Sequence, residues 1–346
     1  MCKRSDQINY IVKYTSHSIH DQTAWVHGLR RLQGLHRYHS ELSHLPAGYS
    51  YNPDPESQRI PERPMIRSLL AGLFLLLLTH QLSAQCSDAG ACSIGGHVAD
   101  ENQHSISLGY GYGSSGGDEA LTFHSVQIDG RFQVLDGSNV FLSLPYNSVD
   151  GPLGSASGIG DLTILLIQEV WTGDEGMLSL QAGGKIATGT VNEGGLPQAY
   201  QSGLGTNDIL LGVSYETAPW NFAAGYLLSN GRSDNDIDRL ERGDDLFARA
   251  GYRTSFDDIG AGLEILVIKR LSESTVQDPG RPGEDRFITL PDSDQLQVNI
   301  VATSSIPMSD DLTLNLLAGM PLLARDVNVD GLKRALTLSA GMAFSF

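Results

Sequence analysis

The sequence contains no apolar run long enough to cross a membrane as a helix. Its apolar stretch at 69–78 is ten residues, against the roughly 20 that a spanning helix requires. The mean hydropathy of −0.14 is likewise far below that of a helical membrane protein. Basic residues are few: 23 Lys and Arg face 40 Asp and Glu, for a formal charge of −17. That balance excludes the basic footprint on which nucleic-acid binding depends, and no nucleic-acid partner is expected. Cysteines number three and aromatics make up 7% of the chain. A disulfide-dense miniature scaffold is therefore excluded. Glycine, by contrast, is abundant at 39 residues.

The front of the chain divides by composition. Residues 1–64 are polar and irregular, carry six of the ten histidines and show no repeating apolar face. No packed fold is expected there. The segment 65–84 has a basic start at Met65-Ile-Arg67, the apolar run, and a small-residue site at Leu82-Ser-Ala84, the three-part layout of a secretory signal peptide. Translation beginning at Met65 would explain both segments; a genuine cytoplasmic extension is the alternative. Without residues 1–84 the chain has 14 basic and 34 acidic residues, a formal charge of −20, which suits well-hydrated loops. A short segment, 85–103, then precedes the first periodic region. It holds Cys86 and Cys92, six apart, which in an oxidising compartment would most simply pair as a disulfide. The two thiolates with His97 would be one ligand short of a closed zinc site.

From 104 to 346 the apolar residues recur every second position in twelve segments of about ten residues: 104–112, 122–134, 139–147, 161–171, 177–188, 207–216, 219–229, 245–255, 259–269, 294–305, 311–321 and 335–346. A period of two specifies strands. In the second segment Val126, Ile128, Phe132 and Val134 oppose Ser125, Gln127, Asp129, Arg131 and Gln133. A soluble β-sandwich also alternates, but three features count against one. Charges stand well inside the polar faces: Asp129, Arg131, Lys185, Arg249, Arg253 and Glu264. Aromatics cluster near segment ends on the apolar faces, including Tyr110, Tyr112, Tyr146, Trp171, Trp220, Tyr252 and Phe346, as in interfacial belts. Connections also alternate strictly between short turns and long links (113–121, 148–160, 189–206, 230–244, 270–293 and 322–334). Tight turns on one side and long loops on the other are the pattern of a transmembrane β-barrel. The expected fold is all-β: an antiparallel up-and-down barrel of about 12 strands, with short periplasmic turns and long external loops. The loop 270–293 is the longest and a candidate to fold inward as a constriction.

The chain ends on Leu336, Leu338, Ala340, Met342, Phe344 and Phe346 along one face and Thr337, Ser339, Gly341, Ala343 and Ser345 along the other. This resembles the C-terminal strand of Gram-negative outer-membrane proteins. The resemblance implies that the barrel-assembly machinery reads Phe346, that outer-membrane lipids surround the barrel, and that the location is the cell outer membrane.

Four segments begin at the external rim with aspartate: Asp161, Asp208, Asp245 and Asp294. Alternation points all four into the lumen. They would form a cation-favouring constriction or a Ca²⁺ collar; alternatively, Asp and Gly simply suit strand starts and loop hydration. The inward charges Asp129, Arg131, Lys185, Arg249, Arg253 and Glu264 would pair across strands and brace the interior, or line a selectivity ladder. No cofactor or metal is expected.

The motifs Gly158-Ile-Gly-Asp-Leu162, the Gly-rich Gly203–Asp208 segment and Gly251-Tyr-Arg253 follow one another on successive strands. In this order they resemble the MetA-pathway phenol-degradation outer-membrane transporter family, distantly akin to the long-chain fatty-acid channel. The resemblance covers 104–346 and implies uptake of small hydrophobic or aromatic compounds. A structural or adhesive barrel is the alternative, with the charged loop 230–244 as its contact surface. A lipid-modifying enzyme would need a Ser–His pair, and alternation sends His124 and its neighbour Ser125 to opposite faces.

Overall fold

The computed structural model describes residues 104–116 and 120–346, apart from 282. The leader, the signal segment and the Cys86–Cys92 pair lie outside the described residues. The alternating segments form strands β1 (Ser105–Ser114), β2 (Thr122–Leu135), β3 (Ser138–Gly151), β5 (Leu162–Gly173), β6 (Gly176–Ile186), β7 (Asp208–Thr217), β8 (Trp220–Leu228), β9 (Asp245–Phe256), β10 (Ile259–Arg270), β13 (Leu296–Pro307), β14 (Leu312–Leu323) and β15 (Leu336–Ser345). Each neighbours the next in an antiparallel sheet, and β1 pairs with both β2 and β15, which closes a twelve-strand barrel. Closure leaves no strand edge facing hydrocarbon, where an unpaired peptide group would cost several kcal/mol. At the seam the Phe346 N–H donates to the His104 carbonyl at 2.9 Å, so the last residue joins the ladder.

Period two decides which face points outward. Ile106, Leu108, Val126, Ile128, Leu211, Ile265 and Met342 all point outward and are exposed. Tyr110, Tyr112 and Tyr146 stand near the loop end of this outer surface, and Trp171, Trp220, Tyr252 and Phe346 near the turn end. Trp220 meets Tyr252 edge-on at 5.0 Å between ring centroids. Phe346 stacks on Phe344 at 6.0 Å. These two rings of amphipathic side chains border an apolar band, as an interfacial belt requires. The turns are as short as the sequence predicts; Gly137 supplies the positive φ of 68° that the β2–β3 turn needs.

Two connections differ from expectation. The link 148–160 is no loop: β3 runs on to Gly151, and β4 (Gly154–Ile159) folds back on it as a hairpin beyond the barrel. It is ordered because Val149 and Ala156 bury against Tyr200 and Leu196 of the β6–β7 loop. The link 271–295 is not an open loop. It makes a small hairpin, β11 (Thr275–Gln277) and β12 (Phe287–Thr289), whose Val276, Ile288 and Leu290 pack with Leu240 and Val329 of other loops.

Candidate functional site

The lumen is lopsided. On the wall from β3 to β10, large apolar side chains face inward: Phe141, Leu165, Leu210, Leu227, Phe247, Leu266 and Ile268 form one packed cluster. Register explains it, since Phe141 lies opposite Leu165, Leu210 opposite Leu227, and Phe247 opposite Ile268. Between Leu165 and Leu210 stands Gly183, which leaves space on β6 for its neighbours. The opposite wall, β13 to β1, is more mixed: Thr303, Asn315, Ser339, Gly341, Ser107 and Gly109 face inward and remain partly or fully accessible, beside the apolar Val301 and Leu317. A watery pore has little use for seven large apolar side chains on its inner face.

Nearer the turns, the filled wall changes to charge. Arg249 Nη1 lies 3.3 Å from Glu264 Oε2, Arg253 Nη2 lies 3.5 Å from Glu264 Oε1, and Arg253 Nη1 lies 3.7 Å from Glu216 Oε2. The structure thus brings together Arg249, Arg253 and Glu264 of the expected network and adds Glu216. Asp129 on β2 accepts from Gln127 Nε2 at 2.7 Å and Ser107 Oγ at 3.3 Å. Arg131 shares its strand, and Lys185 sits opposite Asp208 in register.

The rim aspartates do not make a cation collar. Asp161 Oδ1 accepts the Gly189 N–H at 3.0 Å and its Oδ2 the Leu204 N–H at 2.6 Å. It therefore ties both limbs of the 187–207 loop, which approach so closely that a Cβ on Gly203 would lie 2.7 Å from the Gly189 Cα. Asp208 pairs with Arg242 and accepts from Thr206 Oγ1 at 2.7 Å. Asp245 receives a two-pronged bond from Arg270, at 3.1 and 2.9 Å. Asp294 departs from the expected inward direction: it shares the outward parity of Leu296 and is half-exposed beside Lys269, 3.2 Å away. Arginine, lysine and backbone N–H groups already supply the positive charge a cation would bring. Among the described residues no three His, Cys, Asp or Glu side chains gather as a metal site.

Above the rim, the long loops close over the mouth. The 187–207 loop joins β6 to β7 and the 324–335 loop joins β14 to β15, with four strands between them in either direction. Although they spring from opposite sides, they touch: a Cβ on Gly331 would lie 2.6 Å from the Ala199 carbonyl oxygen. Tyr200, fully buried, packs with Leu121, Phe123 and Val149, and the Arg334 guanidinium sits 3.5 Å over the Phe123 ring. The 324–335 loop dips further. Asp330 accepts from Arg270 Nη2 at 2.7 Å, and Leu332 joins the apolar cluster of the opposite wall. Burial pushes the Asp330 carboxyl up, but the guanidinium groups of Arg270, Arg325 and Arg242 outweigh it and hold it well below the usual range. In the 229–244 loop Arg242 and Asp238 are buried and Arg232 lies 3.6 Å over Phe287, while Asp234, Asp236 and Glu241 remain exposed.

Two outcomes follow for this cap. Replacing Asp161 with alanine removes the acceptor of two charge-assisted backbone bonds, each worth about 1.5–3 kcal/mol. Amide exchange at Gly189 and Leu204 is expected to speed up by roughly 30-fold or more, while the barrel strands keep their protection. The second outcome concerns pH. Burial pushes the Asp238 carboxyl up to about 7, against the backbone N–H groups of Gln198 and Leu240 that favour its ionised form. Because the folded value lies above the ordinary 3.8, its contribution is complete below that value and lost as pH rises through about 7. After correction for intrinsic exchange chemistry, protection of the Gln198 amide is expected to fall progressively between about pH 4 and 7 and to level off above that. In Asp238→Asn that fall should vanish.

No protein-family model and no curated protein matches the sequence. Among solved structures, the chain is similar to the COG4313 outer membrane channel from Pseudomonas putida F1. The two are 15% identical, the match covers 76% of this chain and 100% of that one, and the TM-score is 0.55. The NanC porin is 12% identical over 70% of this chain and 98% of its own, with a TM-score of 0.40. The KdgM porin is 11% identical over 70% and 99%, also at 0.40. The first of these likenesses shows the fold: a closed antiparallel barrel of the outer-membrane type.

The residues that sequence reasoning missed are Arg270, Arg325, Asp330, Leu332 and Tyr200; it places Glu216 only on a polar strand face and Arg242 only in a charged loop. Arg270 carried a readable signal, since it stands six residues after Glu264 and shares its inward face. The loop residues carried none.

Proposed function

We propose that this protein is an outer-membrane channel for the uptake of small hydrophobic or aromatic compounds. The observation that carries the reading is the inward apolar cluster Phe141, Leu165, Leu210, Leu227, Phe247, Leu266 and Ile268. Apolar surface facing a lumen is useful for a solute that itself avoids water. Opposite it, a wall with several Ser, Thr and Gly residues, and with Val301 and Leu317 among them, leaves the more accessible side of the lumen. A small aromatic solute would pass with one face on each wall. The fold shared with the COG4313 outer membrane channel supports the channel half of the reading, and the strand-end motifs support the substrate half. In this reading 65–84 is the export signal and Phe346 the mark read during assembly.

The test compares initial uptake of a small aromatic such as p-cresol by cells with and without the gene, at low external concentration. Faster uptake with the gene is expected, and equal rates would defeat the proposal. The loop cap favours a second reading, a sealed barrel with a structural role. Planar-bilayer conductance decides between them, because a sealed barrel passes no current.

A further inference from the structure

Leu332 is the one member of the apolar cluster that comes from a loop; every other member belongs to the wall. It is delivered there by a built device. Asp330 Oδ2 is held by Arg270 on β10, and its Oδ1 accepts the Leu332 N–H at 3.2 Å. Gly331 between them adopts a φ of 72° and presses its backbone against Ala199 of the facing loop. The turn 330–332 is thus pinned from two sides of the mouth and aims one leucine across the lumen.

Resting on the uptake reading above, we propose that this patch is a binding site for a small apolar solute, and that Leu332 is its resident occupant. Leu332 covers apolar surface that would otherwise meet water in the unloaded barrel. An incoming aromatic ring offers the patch the same burial and takes the leucine's place. The displaced loop segment stays attached through Ala335, whose N–H donates to the Ser114 carbonyl at 2.7 Å, and Arg270 keeps its two bonds to Asp245. Solute binding and retreat of the 324–335 loop from the lumen are therefore one event.

The experiment is equilibrium dialysis of p-cresol against phosphatidylcholine vesicles containing the intact protein, with protein-free vesicles subtracted for lipid partition. Three variants are compared with the parent, each first checked for the heat-modifiable gel mobility of a folded barrel. Leu332→Ala removes the competitor, and Asp330→Asn unpins the turn without touching the patch. Both are expected to bind p-cresol about tenfold more tightly, as removal of a competing apolar side chain implies. Ile268→Asn places an amide in the patch and is expected to bind more weakly than the parent. Equal binding by the parent, Leu332→Ala and Asp330→Asn would overturn the proposal, even if cells carrying the gene take up p-cresol faster. Conversely, tighter binding by the two loop variants with no difference in cellular uptake would uphold the site and defeat the transport reading.

Discussion

Replacing Glu264 with alanine is expected to destabilise the barrel by about 3 kcal/mol, more than removal of any exposed charge. Glu264 is buried and is the carboxylate shared by Arg249 and Arg253. Removing one partner of a buried pair leaves the desolvation of the other uncompensated, for which about 3–5 kcal/mol is typical. The lower end applies because Arg253 is part-exposed and also lies near Glu216. The measurement is urea unfolding of the protein in lipid vesicles, followed by tryptophan fluorescence. Glu264→Gln keeps the shape and one acceptor and is expected to lose less. A loss below 1 kcal/mol for the alanine variant would mean that water, not Glu264, solvates these arginines.

The adjacent residue gives the second large effect for the opposite reason. Ile265 lies at the middle of β10 and points outward. Ile265→Arg is expected to cost about 2–4 kcal/mol, the range for an arginine at the bilayer midplane of a barrel. Arginine at Thr303, which faces the accessible side of the lumen, is expected to cost far less in the same assay. Equal costs at the two positions would contradict the assignment of faces. Two consecutive residues on one strand thus fail differently, one through lost charge and the other through added charge, because the barrel wall separates two solvents.

Much of this was legible before any coordinates. All twelve barrel strands fall within a few residues of the periodic segments, since the side-chain period of an extended strand is two wherever it forms. The inward direction of Arg249, Arg253 and Glu264 follows from the same period, and Arg270 was within reach of it. The rim aspartates show where that reasoning runs out. Asp161, Asp208 and Asp245 are buried while Asp294 lies on the outer parity beside Lys269, and alternation says nothing about what meets any of them. The expected collar fails because Arg242, Arg270 and two loop N–H groups arrive first. Likewise the longest loop, 270–293, was the natural candidate for a constriction by length. It folds into its own hairpin, and the shorter 324–335 loop goes inward because Asp330 finds Arg270.

By itself the sequence determined the strands, their alternating faces, the division into short turns and long loops, and hence a closed barrel with a lipid-facing band. These properties are local: each depends on residues two apart, or on the few that make a turn. Only the tertiary structure decided which loops cross the mouth, which arginine answers which aspartate, and that Leu332 rests on the apolar wall opposite its own hairpin. Those contacts join residues from opposite sides of the barrel. They are set by distances across the lumen that exist only once β15 has paired with β1.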